Sequence, residues 1–472
     1  MKNKIKQSSK LYHLSFQLGR VITSDNMRLT RQFVNRITPS QVHPIVKKNV
    51  LANGFDLVFD LNKSKGNYVV DALNQKKYLD MFGFYASCPV GHNHPKMTDK
   101  NFIKELGRIA IHNPSNSNIY TIEYAKFLAT MQRICMPKGF EHLFLIAGGT
   151  LAVESALKVA FDWKVRRNMR DGKGAKGNKV IHFKDAFHGR SGYSLSLTNT
   201  DPAKYMHFPL FEWPRIINPF ITFPLNQENL RKVIEKEQIA LNHINDILEK
   251  DGDDIACIIL EPIQGEGGDH HFRPEFWKKL RQIADKYHVL LIADEVQSGM
   301  GITGKLWAYE HLGAEPDIIV FGKKLQVCGI MCNQRINEIK DNVFAIPSRL
   351  NSTWGGNLVD MVRSRKYMEI IEEENLINNA KVVGNYCLNH FYELQLQYPN
   401  LIFNVRGKGL MIAFDLPNKE LCEKLKQTAY HKGLLIISSG DRTIRLRPML
   451  DIKKKDIDRL VEILNDCLTK IE

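Results

Sequence analysis

No apolar stretch in this chain approaches the roughly 18 residues that a membrane-crossing helix needs. Its most apolar runs, Ala256 to Leu260 and Val289 to Ala293, have the length of strands, and a soluble protein is expected. Cysteine is sparse and scattered: Cys88, Cys135, Cys257, Cys328, Cys332, Cys387, Cys422 and Cys467 show neither the paired short spacings of a zinc site nor the density of a disulfide framework. A reducing compartment fits, and no metal is expected. Residues 1–36 hold no sustained apolar core, which argues against a secretory signal, and almost no acid. Eight Lys/Arg stand there against Asp25 alone, accounting for +7 of the chain's +15. That is the composition of a mitochondrial transit peptide and equally of a plain basic extension; without targeting, the cytoplasm is expected. The +8 left is modest for the remaining length, and Lys453-Lys454-Lys455 reads as a solvated helix start. Nucleic acid is therefore not expected as a partner.

What is present is an alternation. Strand-like runs at Leu143 to Ala147, Val180 to Phe183, Ala256 to Leu260, Val289 to Ala293 and Ile318 to Phe321 are separated by helix-period segments. In one of these, Val153, Ala156, Leu157, Ala160 and Phe161 share a face; in another, Phe276, Leu280, Ile283, Ala284 and Tyr287 do. An α/β fold with a mostly parallel sheet covered by helices is implied. After Asn357 a long helical stretch to about Leu394 leads to short strands near Leu401 to Val405, Leu410 to Phe414, Leu434 to Ile437 and Thr443 to Leu446, and a closing helix from Lys454 to Leu468. We therefore expect a basic extension (1–36), a segment packing with a small domain (37–95), a large domain (96–356) and a small α/β domain (357–472).

Four features carry chemistry. The run ending at Ala293 opens into Asp294-Glu295-Val296-Gln297, placing a carboxylate where parallel strands face a ligand crevice. It could hold a pyridinium nitrogen protonated, cap a helix or bind Mg²⁺. Phe321-Gly322-Lys323-Lys324 sets lysine after another buried strand, where an amine is either solvated or, if desolvated, nucleophilic. Ala147-Gly148-Gly149-Thr150 joins a strand to an amphipathic helix, as in a phosphate-binding turn or an ordinary tight connection. Phe187-His188-Gly189-Arg190 brings an aromatic ring and a cation to the same edge; the ring suits stacking on a heterocycle or plain core packing. His92-Asn93-His94-Pro95 lacks further ligands for a metal, and His270 and His271 read as surface loop residues.

In this order the four features resemble the class III aminotransferases of fold type I, which use pyridoxal 5′-phosphate, over roughly residues 37–472. Within that class, Ala186 to Tyr193, Leu197 to Thr200, Phe321 to Gly329 and Asn351 to Asn357 are similar to the L-lysine 6-aminotransferases. The resemblance implies a seven-stranded large domain and Lys323, rather than Lys324, as the Schiff-base lysine. Asp294 then faces the ring nitrogen, Gln297 the ring hydroxyl, and Phe187 stacks on the ring. Gly149 and Thr150 hold the phosphate, joined by Thr353 from the neighbouring subunit of a homodimer. Arg445 takes the substrate carboxylate nearer the reacting centre, Arg190 the remote one, Glu266 pairs with Arg445 as a switch, and Asn351 contributes to substrate binding.

The reaction so implied moves the ε-amino group of L-lysine to 2-oxoglutarate, giving 2-aminoadipate 6-semialdehyde and L-glutamate. One substrate brings one carboxylate and the other brings two, so a site with two arginines and a movable acid is required. On local sequence alone Glu266 is also an ordinary loop carboxylate whose flanking glycines give it freedom to swing, and Arg447 competes with Arg445. Ornithine or 4-aminobutyrate aminotransferases, and a silent aminotransferase-fold binding protein, are the alternatives.

Overall fold

The computed structural model describes residues 31–471. Its contacts divide into two units, one comprising residues up to Phe59 with Asp71–Gln75, the other Asp60–Val70 with everything from Lys76 onward. In the first unit the helix Arg31–Val34 falls at the end of the expected basic extension, whose residues 1–30 lie outside the described residues. A second helix, Pro39–Asn49, starts with Pro at its first position, and the Gln41 side chain accepts from the Thr38 N–H at 2.8 Å. The Asp71 carboxylate accepts from the Val58 N–H at 3.0 Å.

The second unit is built on a seven-stranded sheet. Its spatial order is Phe140–Ile146, Cys328–Asn333, Ile318–Phe321, Leu290–Asp294, Ile255–Leu260, Lys179–Phe183 and Arg215–Ile216. All neighbours are parallel except Cys328–Asn333, which runs against both of its partners. The central strands are apolar throughout because both sheet faces are covered. Along Ile318–Phe321, Ile319 and Phe321 enter one core and Ile318 and Val320 the other. The helix Gly149–Arg170 covers one face with Val153, Ala156, Leu157 and Ala160, while Pro274–Lys286 covers the other with Phe276, Leu280 and Ala284. At about 1.5–3 kcal/mol per fully buried large side chain, this double burial makes the sheet a fixed frame for its carboxyl edge.

Beyond Asn357 the expected long helix is two helices, Leu358–Glu373 and Leu376–Gln397. They are separated at Asn375, which adopts φ +50°, a left-handed conformation that Asn tolerates better than most residues. The run Leu434 to Ile437 also divides. Leu434–Leu435 pairs in parallel with Lys77–Asp80, whereas Ile437–Ser439 joins an antiparallel sheet ordered Phe403–Lys408, Met411–Asp415, Thr443–Leu446, Ile437–Ser439. Period alone could not show a chain that changes sheets within four residues.

The reading of His270 and His271 as surface residues is corrected. They form a short strand paired with Ile263–Gln264; His270 stacks on Phe220 with ring centroids 3.9 Å apart, and His271 is buried. Burial, aided by the Arg406 charge, pushes the His270 imidazole down to about 3 and holds His271 well below its usual value. Among the described residues no helix is long and apolar enough to cross a membrane.

Candidate active site

Five strand ends converge on one edge of the large sheet, and the segments following them line a cavity of about 360 Å³. Gly149, Thr150, Phe187, Arg190, Glu266, Asp294, Gln297 and Lys323 all face it. The register pairs Val320 with Asp294, so the strand that ends at the carboxylate and the strand that leads to the lysine are direct neighbours.

The two adjacent lysines part company here. Lys323 lines the cavity, whereas Lys324 is buried on the other side and donates to the Ala86 carbonyl at 2.9 Å. Lys323 sits at φ +46°, an uncommon conformation for a side-chain-bearing residue and one that clusters at functional sites. A Cβ on Gly322 before it would lie 2.9 Å from the Cys328 sulfur, so any larger residue there needs that side chain to shift. Burial, reinforced by the Arg445 and Arg447 charges, brings the Lys323 amine down to about 8.

Asp294 is 5% exposed, and its Oδ2 lies 2.7 Å from Nδ1 of the fully buried His188. Burial opposes charge on this imidazole, but the Asp294 carboxylate overcomes it and raises His188 above its ordinary value. Glu261, which comes directly after the strand Ile255–Leu260, accepts from the Phe187 N–H at 3.0 Å and the Gly265 N–H at 3.1 Å. Burial pushes its carboxyl up to about 7. Neither His188 nor Glu261 was singled out for such a role from sequence. The available signal for Glu261 was a carboxylate directly after a wholly buried strand.

At the opposite end Gly148, at φ +112°, begins the helix Gly149–Arg170 without a side-chain cap, leaving its first N–H groups directed outward. The Thr150 hydroxyl lies 2.5 Å from that of Ser194 and 3.0 Å from that of Ser191. A Cβ on Gly189 would come within 2.2 Å of the Thr150 oxygen, which explains glycine in Phe187-His188-Gly189-Arg190. Arg190 is exposed at the mouth, its guanidinium 5.7 Å from the Phe187 ring centre.

Glu266 and Arg445 form an ion pair at 2.5 Å. Arg445 is 1% exposed and also donates to Gln297 Oε1 at 3.3 Å. Burial opposes ionisation of Glu266, but Arg445 and Lys204 overcome it and hold the carboxyl below its usual range. Lys204, which sequence reading missed, reaches the other Glu266 oxygen at 2.9 Å. Arg447 is settled differently from its competitor: wholly buried, it pairs with Asp269 and donates to Gln297 at 3.1 Å.

The glycines around Glu266 serve close packing rather than mobility. A Cβ on Gly265 would meet Gln297 Oε1 at 2.2 Å, and one on Gly267 would meet the Asp185 carbonyl at 2.0 Å. The Glu266 carbonyl itself accepts from the Gly440 N–H at 3.0 Å, so movement is left to the side chain. Asn351 and Thr353 do not reach this cavity within their own chain. Their exposed loop is held by Ser115, which donates to the Thr353 carbonyl at 2.5 Å, and Ser117, which donates to the Ser352 carbonyl at 2.6 Å. His92 and His94 turn to different carboxylates, Asp80 at 3.3 Å and Glu374 at 3.4 Å.

The donor set suits pyridoxal phosphate: an uncapped helix start with a hydroxyl for the phosphate, an aromatic ring, a buried carboxylate for the ring nitrogen, and a lysine with a lowered pKa. The class-III aminotransferase family model matches residues 51–468. The L-lysine-epsilon aminotransferase of Mycobacterium tuberculosis is 46% identical over 433 residues, covering 91% of this chain and 96% of the relative. The mitochondrial 4-aminobutyrate aminotransferase of Homo sapiens is 30% identical, over 89% and 87% of the two chains. The solved lysine aminotransferase from M. tuberculosis in its internal aldimine form superposes with a TM-score of 0.91 at 44% identity, covering 92% of this chain and all of that one. With a lysine, a buried carboxylate and a glycine turn opening an uncapped helix on one sheet edge, and relatives of this similarity along nearly its whole length, the chain belongs to the class III aminotransferases, fold type I enzymes that use pyridoxal 5′-phosphate.

Proposed function

We propose that this enzyme transfers the ε-amino group of L-lysine to 2-oxoglutarate, yielding 2-aminoadipate 6-semialdehyde and L-glutamate. The observation that carries the reading is the Glu266–Arg445 pair beside Lys323. An arginine masked by a movable carboxylate suits a site that must take one carboxylate in one half of its cycle and two in the other. The similarity to L-lysine-epsilon aminotransferases supports the choice of lysine over shorter ω-amines.

Pyridoxal phosphate, when bound, supplies the electron sink for the carbon that loses its proton. Its phosphate is assigned to Gly149, Thr150 and the Thr353 of a neighbouring subunit, its ring to Phe187, Asp294 and Gln297. Asp294, held by His188 at 2.7 Å, would face the ring nitrogen. Gln297 has its carbonyl engaged by Arg445 and Arg447, which leaves its amide N–H₂ for the ring hydroxyl. Lys323 would hold the cofactor, and its Nζ is the group placed to take the proton from the amine-bearing carbon. Arg190 at the mouth takes the remote carboxylate. In the second half Glu266 leaves Arg445, which receives the carboxylate nearer the reacting carbon.

A homodimer completes the site in this reading. The segment Ser115 to Ser117 that holds the loop carrying Asn351 and Thr353 is flanked in sequence by exposed Ile111, Ile119, Tyr120 and Ile122, and Trp354 within the loop is exposed as well. Incubation with L-lysine and 2-oxoglutarate is expected to give glutamate and the semialdehyde. Glutamate formed from ornithine or 4-aminobutyrate but not from lysine would overturn the substrate assignment and leave the enzyme class standing.

A further inference from the structure

We propose that Lys204 is a specificity-determining residue: it is the pivot that keeps Glu266 paired while that carboxylate leaves Arg445 to admit a dicarboxylate. The inference rests on the reading of Glu266 as the mask of Arg445.

Glu266 bridges two cations through different oxygens, Oε2 to Arg445 at 2.5 Å and Oε1 to Lys204 at 2.9 Å. The two bonds do not compete, so one can break while the other persists. Lys204 is itself anchored, donating to the Thr200 hydroxyl at 2.9 Å with its ammonium 5.3 Å from the Phe187 ring centre, and its side chain is only 13% exposed. The Glu266 backbone is pinned through Gly440, so the carboxylate travels only as far as its own torsions carry it, within a site where an unpaired charge is costly.

Charge balance points the same way. With a dicarboxylate present, the negative groups are its two carboxylates and Glu266. Arg190, Arg445 and Lys204 match them one for one. Without Lys204, either Glu266 or one substrate carboxylate lacks a partner. With a single carboxylate bound at Arg190, Glu266 stays on Arg445, and Lys204 adds little to that ligand's affinity.

The test is calorimetric titration of the cofactor-loaded enzyme with glutarate, an unreactive dicarboxylate, and hexanoate, an unreactive monocarboxylate. Lys204→Met is expected to weaken glutarate about tenfold, the scale of losing one charge-assisted partner, and hexanoate by less than about twofold. Lys204→Gln, which keeps a donor without the charge, should behave like Met, and Lys204→Arg should keep most of the glutarate affinity. In a Glu266→Gln background the glutarate loss from Lys204→Met should shrink, because the two residues act through one contact. Unchanged glutarate affinity in both Lys204→Met and Lys204→Gln, or equal weakening of the two ligands, overturns the pivot. If Glu266→Gln alone leaves the glutarate-to-hexanoate ratio unchanged, the masking role itself falls, and the pivot with it.

Discussion

In the proposed function Lys323 does two things, holding a cofactor and moving a proton, and both need its amine neutral. An amine with an ordinary pKa of 10.5 is almost wholly protonated at pH 7, whereas one lowered to about 8 is free in about one molecule in ten. Uptake of pyridoxal phosphate by the cofactor-free protein should therefore accelerate as pH rises through about 8 and level off above it. Stopped-flow absorbance checks this, and a flat profile between about pH 7 and 9 would contradict the burial argument. Lys323→Ala should replace the absorbance of the lysine-linked cofactor by that of the free aldehyde and lower turnover by about 10⁴-fold, the upper range for loss of a positioned base. His188 acts through Asp294. His188→Ala leaves a buried carboxylate short of one partner, and kcat is expected to fall about 10- to 100-fold with a shifted pH profile. Lys323 and Asp294 stand out in the sequence as candidates because each comes after an apolar strand run. His188, Glu261 and Lys204 were not, since their partners lie at Asp294, Phe187 and Glu266, and nothing local announces such meetings.

At the scale of elements, the apolar runs marked the four inner parallel strands within one residue, because double burial leaves an unbroken hydrophobic stretch, whereas the edge strand Phe140–Ile146 starts three residues earlier than its run and the two-residue strand Arg215–Ile216 was not marked. The antiparallel strand Cys328–Asn333 was hidden inside the motif that comes after Lys323. The helix Leu376–Gln397 offers an element-level test. A Cβ on Gly384 would fall 2.0 Å from the Gly409 carbonyl, a backbone atom that cannot step aside. Alanine gains about 1 kcal/mol of helix propensity, but overpacking costs about 1–3 kcal/mol or more, so the clash wins. Gly384→Ala should lower the melting temperature in calorimetry; a rise would show that the two elements separate easily.

For the whole molecule, the decisive prediction is that one active site draws on two chains. A Lys323→Ala protein and a Thr353→Asp protein should each be inactive alone, the second because it opposes the phosphate with a like charge. Mixed and allowed to exchange subunits, they form hybrids in which one of two sites is intact, and about one quarter of the unsubstituted enzyme's activity should return. No recovery, with hybrids demonstrated by mass spectrometry, would place Thr353 outside the partner's site.

By itself the sequence determined the layered α/β class, the strand that ends at the carboxylate and the strand that leads to the lysine, and the order of its motifs gave the resemblance that implies a pyridoxal cofactor. These are local properties, set by burial and by the residue types at the carboxyl end of each buried run. Only the tertiary structure decided which of two adjacent lysines faces the cavity, which of two arginines meets Glu266, and why glycines flank that carboxylate. Those outcomes depend on side-chain direction and on contacts between residues far apart in the chain, such as Glu266 with Arg445 and Gly267 with Asp185. No periodicity records either one.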